Sequence, residues 1–365
     1  MKKFHFSRIS NAVILAAGMG VRLRNVIGIR PKGLLEIEGK SLIIRSLERL
    51  KSEGIDRVII VTGFQDTMYH KHLEPLANLP KIEFIHSPRF AETGSMHSLF
   101  VAQEVLQDDF LLLESDLLYE SRALSSVLNY EGPDVVLASG KTASNDEVYI
   151  YRENQGEPSE YETSSSIVSG DIAAISKQPR PHLQIQGELV GISKISQNLF
   201  RRMCALHEEN LTFPCSNHYE ECISEVSSEW VVPYLRIGDL VWTEIDDQFH
   251  FDRAIKIIYP RIKQQETSNK TGFMSDSYVL QQAPFVVPTT DEKLIEEHVG
   301  RAVSNEPEVS VAHMVAPPGW SEPHQNPEFD EYTMMVRGRK QIEIDGETVT
   351  LNVGESLLVR KGARV

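Results

Sequence analysis

Five short apolar runs recur through the N-terminal two thirds of the chain: VILAA (13–17), RVIIVTG (57–63), IEFI (82–85), FLLLES (110–115) and DVVLAS (134–139). Each is apolar almost without interruption. A strand with one wet face alternates polar and apolar residues, so continuous runs of this length are strands covered on both faces. Between them, SLIIRSLERLKSEG (41–54), SMHSLFVAQEVL (95–106) and ESRALSSVLNY (120–130) carry helical spacing. Strand–helix–strand alternation predicts an α/β fold, a Rossmann-like, doubly wound, mostly parallel sheet. Ligands of such sheets sit at the carboxyl ends of the strands, where the strand order reverses.

The pattern then changes. Residues 262–275, IKQQETSNKTGFMS, are polar and aperiodic and read as a linker. Beyond it come short strands with turn signals: VSVAHMV (309–315), EYTMMVRG (331–338), KQIEIDGETVTL (340–351) and GESLLVR (354–360). The Asp345-Gly346 pair between alternating residues predicts a hairpin. A chain of 365 residues suits two unequal domains. The expected division is 1–261, a linker 262–275, and an all-β part 276–365.

The net charge of −15 excludes classes of partner. No basic stripe is present, so a nucleic-acid backbone is repelled and is not an expected partner. The N-terminal MKKFHFSRIS has no apolar run behind it to serve as a signal-peptide core. Nowhere do eighteen apolar residues follow one another, so no membrane span is expected. Three clustered cysteines, Cys204, Cys215 and Cys222, do not make a disulfide framework, and a cytoplasmic location is expected.

The most specific segment is LAAGMGVRLRNVIGIRPKGLLEI, residues 15–37. A strand ending at Leu15, Ala16 and Ala17 runs into a loop containing Gly18 and Gly20. Those glycines let backbone N–H groups approach a phosphate closely. Arg22 and Lys32, the latter after Pro31, supply charge for a triphosphate. The spacing is neither a Walker A sequence nor G-x-G-x-x-G, which removes the P-loop and dinucleotide readings.

This segment resembles the opening motif of the nucleotidyltransferases that make nucleotide sugars and CDP-linked alcohols. Within them the chain looks most like bacterial CTP:phosphocholine cytidylyltransferases and their aminoethylphosphonate-using relatives. ETGSMHSLFVAQ (92–103) is similar to the family's nucleotide-contacting loop and helix, GELVGISKIS (187–196) to its substrate-side strand, and WTEIDDQFHFDRA (242–254) to its closing metal motif. The resemblance implies CTP as donor, with Leu15 to Gly20 and Thr93, Gly94, Ser95 and Ser98 along the nucleotide. It implies Arg22 and Lys32 as the catalytic cations and Asp116 and Asp246 as magnesium ligands. Magnesium also has a physical rationale. An anionic oxygen attacking an α-phosphorus brings two negative groups together, and a carboxylate-held divalent cation offsets their repulsion.

A quaternary ammonium acceptor such as phosphocholine needs aromatic faces, for which Tyr149, Tyr219 and Trp242 are candidates, with Glu188 and Glu220 to balance its charge. A primary amine, as in aminoethylphosphonate, needs more carboxylates and fewer rings. A sugar phosphate needs amides and backbone groups instead. Cys215, His218 and Cys222 have a spacing that can hold zinc, but a closed site needs a fourth ligand and none is near.

Residues 319–338 and 354–365 resemble the two cupin motifs. His324 and Glu331 fit metal-ligand positions, whereas Asn326 and Val365 stand where histidines are usual. A catalytic metal is therefore not expected there. The second motif ends with the chain, so an incomplete jelly roll is expected, serving dimerisation or small-ligand binding. The expected activity is transfer of CMP from CTP to phosphocholine or a related amino-alkyl phosphate or phosphonate, releasing pyrophosphate. The rivals are a sugar-1-phosphate nucleotidylyltransferase and a ligand-sensing cupin beside an inactive transferase.

Overall fold

The computed structural model describes residues 9–23, 28–154, 161, 166–209, 218–271, 273–275, 278–280, 284–287, 293–300, 309–322 and 324–365. The chain divides into two compact units, Met1–Gln282 and Ala283–Val365.

The first unit is built on a ten-stranded sheet. Four parallel strands lie side by side in the order Lys81–His86, Arg57–Thr62, Asn11–Ala16 and Phe110–Glu114. The 13-residue strand Leu183–Ile195 then enters antiparallel, pairing with Phe110–Glu114, Val135–Ser139 and Tyr149–Glu153. The sheet is thus mixed beyond its parallel half. Strand Asn11–Ala16 has Arg57–Thr62 on one side and Phe110–Glu114 on the other, so the order reverses at its carboxyl end.

Alternate residues of these strands feed two apolar layers. Ala12 and Ile14 pack with Ile43, Leu47 and Leu50 of helix Leu42–Ser52 and with Leu124 and Val127 of helix Arg122–Asn129. Val13 and Leu15 pack with Met96 and Leu99 of helix Ser95–Phe100, Leu199 and Phe200 of helix Gln197–Glu209, and Ile223 of helix Tyr219–Val226. Both faces are covered, which is why the runs are continuous rather than alternating. Burial of each such Leu or Ile side chain contributes about 1.5–3 kcal/mol. Helix Leu42–Ser52 starts where Ser41 accepts the Ile44 N–H through its hydroxyl.

Residues 262–275 differ from the expected linker. Helix Tyr259–Thr271 runs through most of them, and Phe273–Ser275 is a strand. Ile262 is fully buried, one turn after Ile258, in a cluster with Leu23, Leu42, Val241 and Ile245. Arg49 pairs with Glu266 of the same helix. One apolar residue per turn and one ion pair hold this helix down, too sparse a signal to read in a polar sequence.

Among the described residues, the second unit holds three separate antiparallel sheets. One is Phe285–Val287, Leu294–Val299 and Val311–Val315; the others pair Glu331–Met334 with Ser356–Val359 and Arg339–Ile344 with Glu347–Asn352. Asp345 and Gly346 turn the last hairpin with φ of 50° and 87°, the left-handed pair this turn requires. The strands are antiparallel as expected, and among the described residues the three sheets share no paired strand. His324 is exposed, and among the described residues it belongs to no group able to hold a metal.

Candidate active site

The reversal point of the sheet opens into a cavity of about 890 Å³. Its floor is set by register. Leu15 is paired with Glu114, and the Ser115 N–H donates to the Leu15 carbonyl at 3.1 Å. Strand Phe110–Glu114 therefore delivers Glu114 and Asp116 beside the glycine loop. A short antiparallel pairing of Leu117–Tyr119 with Trp242–Glu244 brings Glu244 and Asp246 to the same place. A 3-10 turn, Lys32–Leu34, begins after Pro31 at φ −62° and points Lys32 inward.

At the centre, the Lys32 ammonium donates to Asp116 Oδ2 at 2.7 Å and to Asp246 Oδ1. Arg22 reaches Asp246 Oδ1 at 3.0 Å and Asp146 Oδ2 at 2.7 Å. Gly20 has φ +56°, and a Cβ there would meet Lys32 Cγ at 3.0 Å. The glycine loop thus lies directly against the lysine stem.

Three carboxylates, Glu114, Asp116 and Glu244, each place an oxygen within 4.8 Å of the others. Burial, then the neighbouring Asp116 and Glu220 charges, push the Glu114 carboxyl up to about 8. Burial, with Asp116 and Glu114 beside it, drives Glu244 well above the usual carboxylate range. Asp246 behaves oppositely. Burial alone would raise it, but Lys32 and Arg22 hold it down at about 2. The same carboxylates outweigh burial at Lys32 and keep its ammonium charged. The arrangement is a crowded cluster of carboxyl groups with one buried cation beside it, and its oxygen donors suit a hard divalent ion.

Of the residues expected from sequence, Leu15, Ala17, Gly18, Arg22, Lys32, Thr93, Gly94, Ser95, Ser98, Asp116, Glu188, Glu220, Trp242 and Asp246 line this one cavity. Ala16 is buried in the strand, and Gly20 sits behind the wall. The aromatic cage is not assembled as expected. Tyr149 stands edge-on to Tyr151 and Tyr161, outside the wall. Tyr219 is buried with its hydroxyl donating to Glu114 Oε1 at 2.7 Å. Glu188 is occupied as well, accepting from the Thr142 N–H at 3.0 Å and from the Tyr161 hydroxyl at 2.6 Å.

Sequence reasoning missed Glu114, Glu244, Asp146 and Lys177, all of which line the cavity. Lys177 pairs with Asp146. Cys215 lies outside the described residues. His218 bonds Ser95 Oγ through Nδ1 at 3.2 Å, and Cys222 Sγ donates to the Met203 carbonyl at 3.5 Å.

The fold is shared with the solved inositol-1-phosphate CTP transferase from T. maritima. That structure superposes with a TM-score of 0.57 at 20% identity, covering 70% of this chain and 97% of that one. Residues 12–182 match the MobA-like NTP transferase domain. An 80-residue stretch is 46% identical to the protein named Endoribonuclease YbeY of Myxococcus xanthus, over 22% of this chain and 27% of that one. Over 205 residues the chain is 23% identical to the CTP:phosphoglutamine cytidylyltransferase of Campylobacter jejuni, over 54% of this chain and 78% of the relative. The matches span only 27–28% of the length of the first curated relatives. Cytidylyltransferases and sugar nucleotidyltransferases both occur among the similar proteins. No helix among the described residues is long and apolar enough to cross a membrane.

Proposed function

We propose that this chain transfers CMP from CTP to a small phosphorylated amino compound, of the phosphocholine or aminoalkylphosphonate kind, releasing pyrophosphate. The observation that carries the reading is Lys32 held between Asp116 and Asp246 beside the glycine loop. It supplies fixed positive charge where a triphosphate meets the loop's N–H groups. An acceptor phosphate oxygen forms a bond to the α-phosphorus. The bond from that phosphorus to the bridging oxygen breaks, and the electron pair leaves on pyrophosphate. No general base is required, because a phosphomonoester has its second pKa at about 6 and is already ionised at neutral pH.

Lys32 and Arg22 hold the triphosphate, and Leu15, Gly18 and Ser95 line the nucleotide. Glu114, Asp116 and Glu244 fit a magnesium ion by donor type and by the crowding of carboxyl groups that a cation relieves, and Asp246, paired with Lys32, is the further ligand in this reading. Bound there, magnesium supplies the charge that lets two anions meet. Glu220, Glu188 and the ring of Trp242 line the same cavity and in this reading serve the acceptor. One observation favours a second reading. With Tyr149 and Tyr219 outside the wall, Trp242 is the one ring left of the three expected for a quaternary ammonium, which suits a sugar-1-phosphate acceptor.

The second unit is proposed to support a homodimer or bind a small ligand, in a cytoplasmic enzyme. The test is pyrophosphate release with magnesium across CTP, UTP, ATP and GTP, against phosphocholine, phosphoethanolamine, aminoethylphosphonate and sugar-1-phosphates. Release with CTP and one amino-alkyl acceptor supports the reading. Release only with a sugar phosphate moves the chain to the second.

A further inference from the structure

Between strands Val135–Ser139 and Tyr149–Glu153 runs a strap, residues 140–148, that lines the cavity through Thr142, Ser144, Asp146, Glu147 and Val148. Two of its non-glycine residues are left-handed, Ala143 at φ 54° and Asn145 at φ 71°. An L-residue with a Cβ disfavours that region, and alanine has no side-chain polar group to offset it. Such a backbone persists only where its surroundings over-determine it.

The surroundings do so here. Arg253 donates to the Thr142 carbonyl at 2.7 Å, and the ring Nε2 of His250 bonds the Ser144 carbonyl at 2.9 Å. Both come from helix Gln248–Arg253, which starts directly after Asp246 and is capped by Asp247. On the other side, the Thr142 N–H donates to both oxygens of Glu188 at 3.0 Å, and the Asn145 N–H to Glu147 at 3.0 Å. These bonds fix one outward product, the carboxylate of Asp146. It receives Arg22 at 2.7 Å on Oδ2 and Lys177 on Oδ1, and both cations line the cavity.

Resting on the transferase reading, we infer that Asp146 is a positioning residue for that reaction: the strained strap aims its carboxylate so that Arg22 is held over Asp246 and fixed relative to Lys177. Without it, Arg22 is a half-exposed side chain with a single remaining anchor among the described residues, Asp246. A long, rotamer-rich cation left on one bond loses the fixed geometry that charge stabilisation in a transition state needs. The helix after Asp246 therefore acts twice. It follows the carboxylate that pairs with Lys32, and through His250 and Arg253 it pins the strap that orients Arg22.

The test uses the full chain with Asp146→Asn, which keeps the shape and removes the charge, and Asp146→Glu, which keeps the charge at shifted reach. Asp146→Asn is expected to lower kcat for pyrophosphate release by about tenfold or more, with a smaller loss of CTP affinity because Lys32 still holds the triphosphate. Asp146→Glu recovers part of the loss. Independently of turnover, labelling of Arg22 by phenylglyoxal, read peptide by peptide by mass spectrometry, should rise severalfold in Asp146→Asn. Labelling of Arg30 should stay constant. Wild-type kcat in Asp146→Asn, or unchanged Arg22 labelling, overturns the positioning role. A wild-type chain that releases no pyrophosphate overturns the transferase reading instead, and the labelling result still decides whether Asp146 holds Arg22.

Discussion

The ammonium of Lys32 lies 2.7 Å from Oδ2 of Asp116, a residue 84 positions away, and bonds Oδ1 of Asp246 at the same time. A turn after a proline and two strand ends thus converge on one buried cation. Replacing Asp116 or Asp246 by alanine leaves Lys32 one partner, so the fold should survive while the charge geometry does not. Turnover is expected to fall by at least about a hundredfold in each, with an unchanged circular dichroism spectrum. Pyrophosphate release near the wild-type rate in either variant contradicts the assignment.

Gly33 is a steric requirement of that turn. A Cβ there would meet the Tyr69 hydroxyl at 2.7 Å and the Ser115 Cβ and carbonyl at 3.2 Å. Tyr69 is buried, and Ser115 precedes Asp116 in the strand end, so neither yields freely. Gly33→Ala should destabilise the chain by about 1–3 kcal/mol through overpacking, seen as a lower denaturation midpoint. Because the displaced residue is the neighbour of Lys32, kcat should fall as well. A variant with wild-type midpoint and rate would show the contact to be slack.

Burial, Asp116 and Glu220 raise the Glu114 carboxyl to about 8 in the metal-free protein, against 4.5 for an ordinary glutamate. The folded state therefore keeps a proton that the unfolded state releases. The stability this contributes is fully present below the ordinary value and is lost as pH rises through the folded one. With a chelator present, Tm should decline from about pH 4.5 to about 8, and Glu114→Gln should flatten that slope. Magnesium affinity should rise over the same window, since its carboxylate ligands must be deprotonated. A Tm that climbs across this range contradicts the assignment of the buried proton.

If the second unit supports assembly or ligand binding, deleting residues 283–365 should lower the solution mass to that of a monomer or weaken acceptor KM. Sedimentation and a kinetic titration of the shortened chain read both. Unchanged mass and unchanged KM would leave the unit with neither role.

The parallel half of the sheet was legible because its strands are covered on both faces and read as unbroken apolar runs, as Val13 to Ala16 and Leu111 to Leu113 do. Gly18, Lys32, Asp116 and Asp246 were singled out by resemblance to a known family's motifs, and they line one cavity. The acceptor side was not. Alternation in DEVYIY cannot tell which tyrosine faces a cavity, and Tyr149 turned out to pack on Tyr151 and Tyr161. Glu114 and Glu244 looked like ordinary strand residues, because their meaning comes from a long-range antiparallel pairing of Trp242–Glu244 with Leu117–Tyr119. Asp146 and Lys177 sit in segments without period, and only tertiary closure brings them to Arg22. The helix over Tyr259–Thr271 was hidden by its polarity, with Ile262 its clearest inward residue.

The most direct test of the central claim follows the α-phosphorus. CTP labelled at that position is incubated with the full chain, magnesium and each acceptor, and the products are separated. The account predicts label in a CMP–acceptor conjugate, with one pyrophosphate released for each conjugate formed, and loss of both in Asp116→Ala. CTP that binds but keeps its label across every acceptor would contradict transfer and favour a ligand-sensing role for the chain.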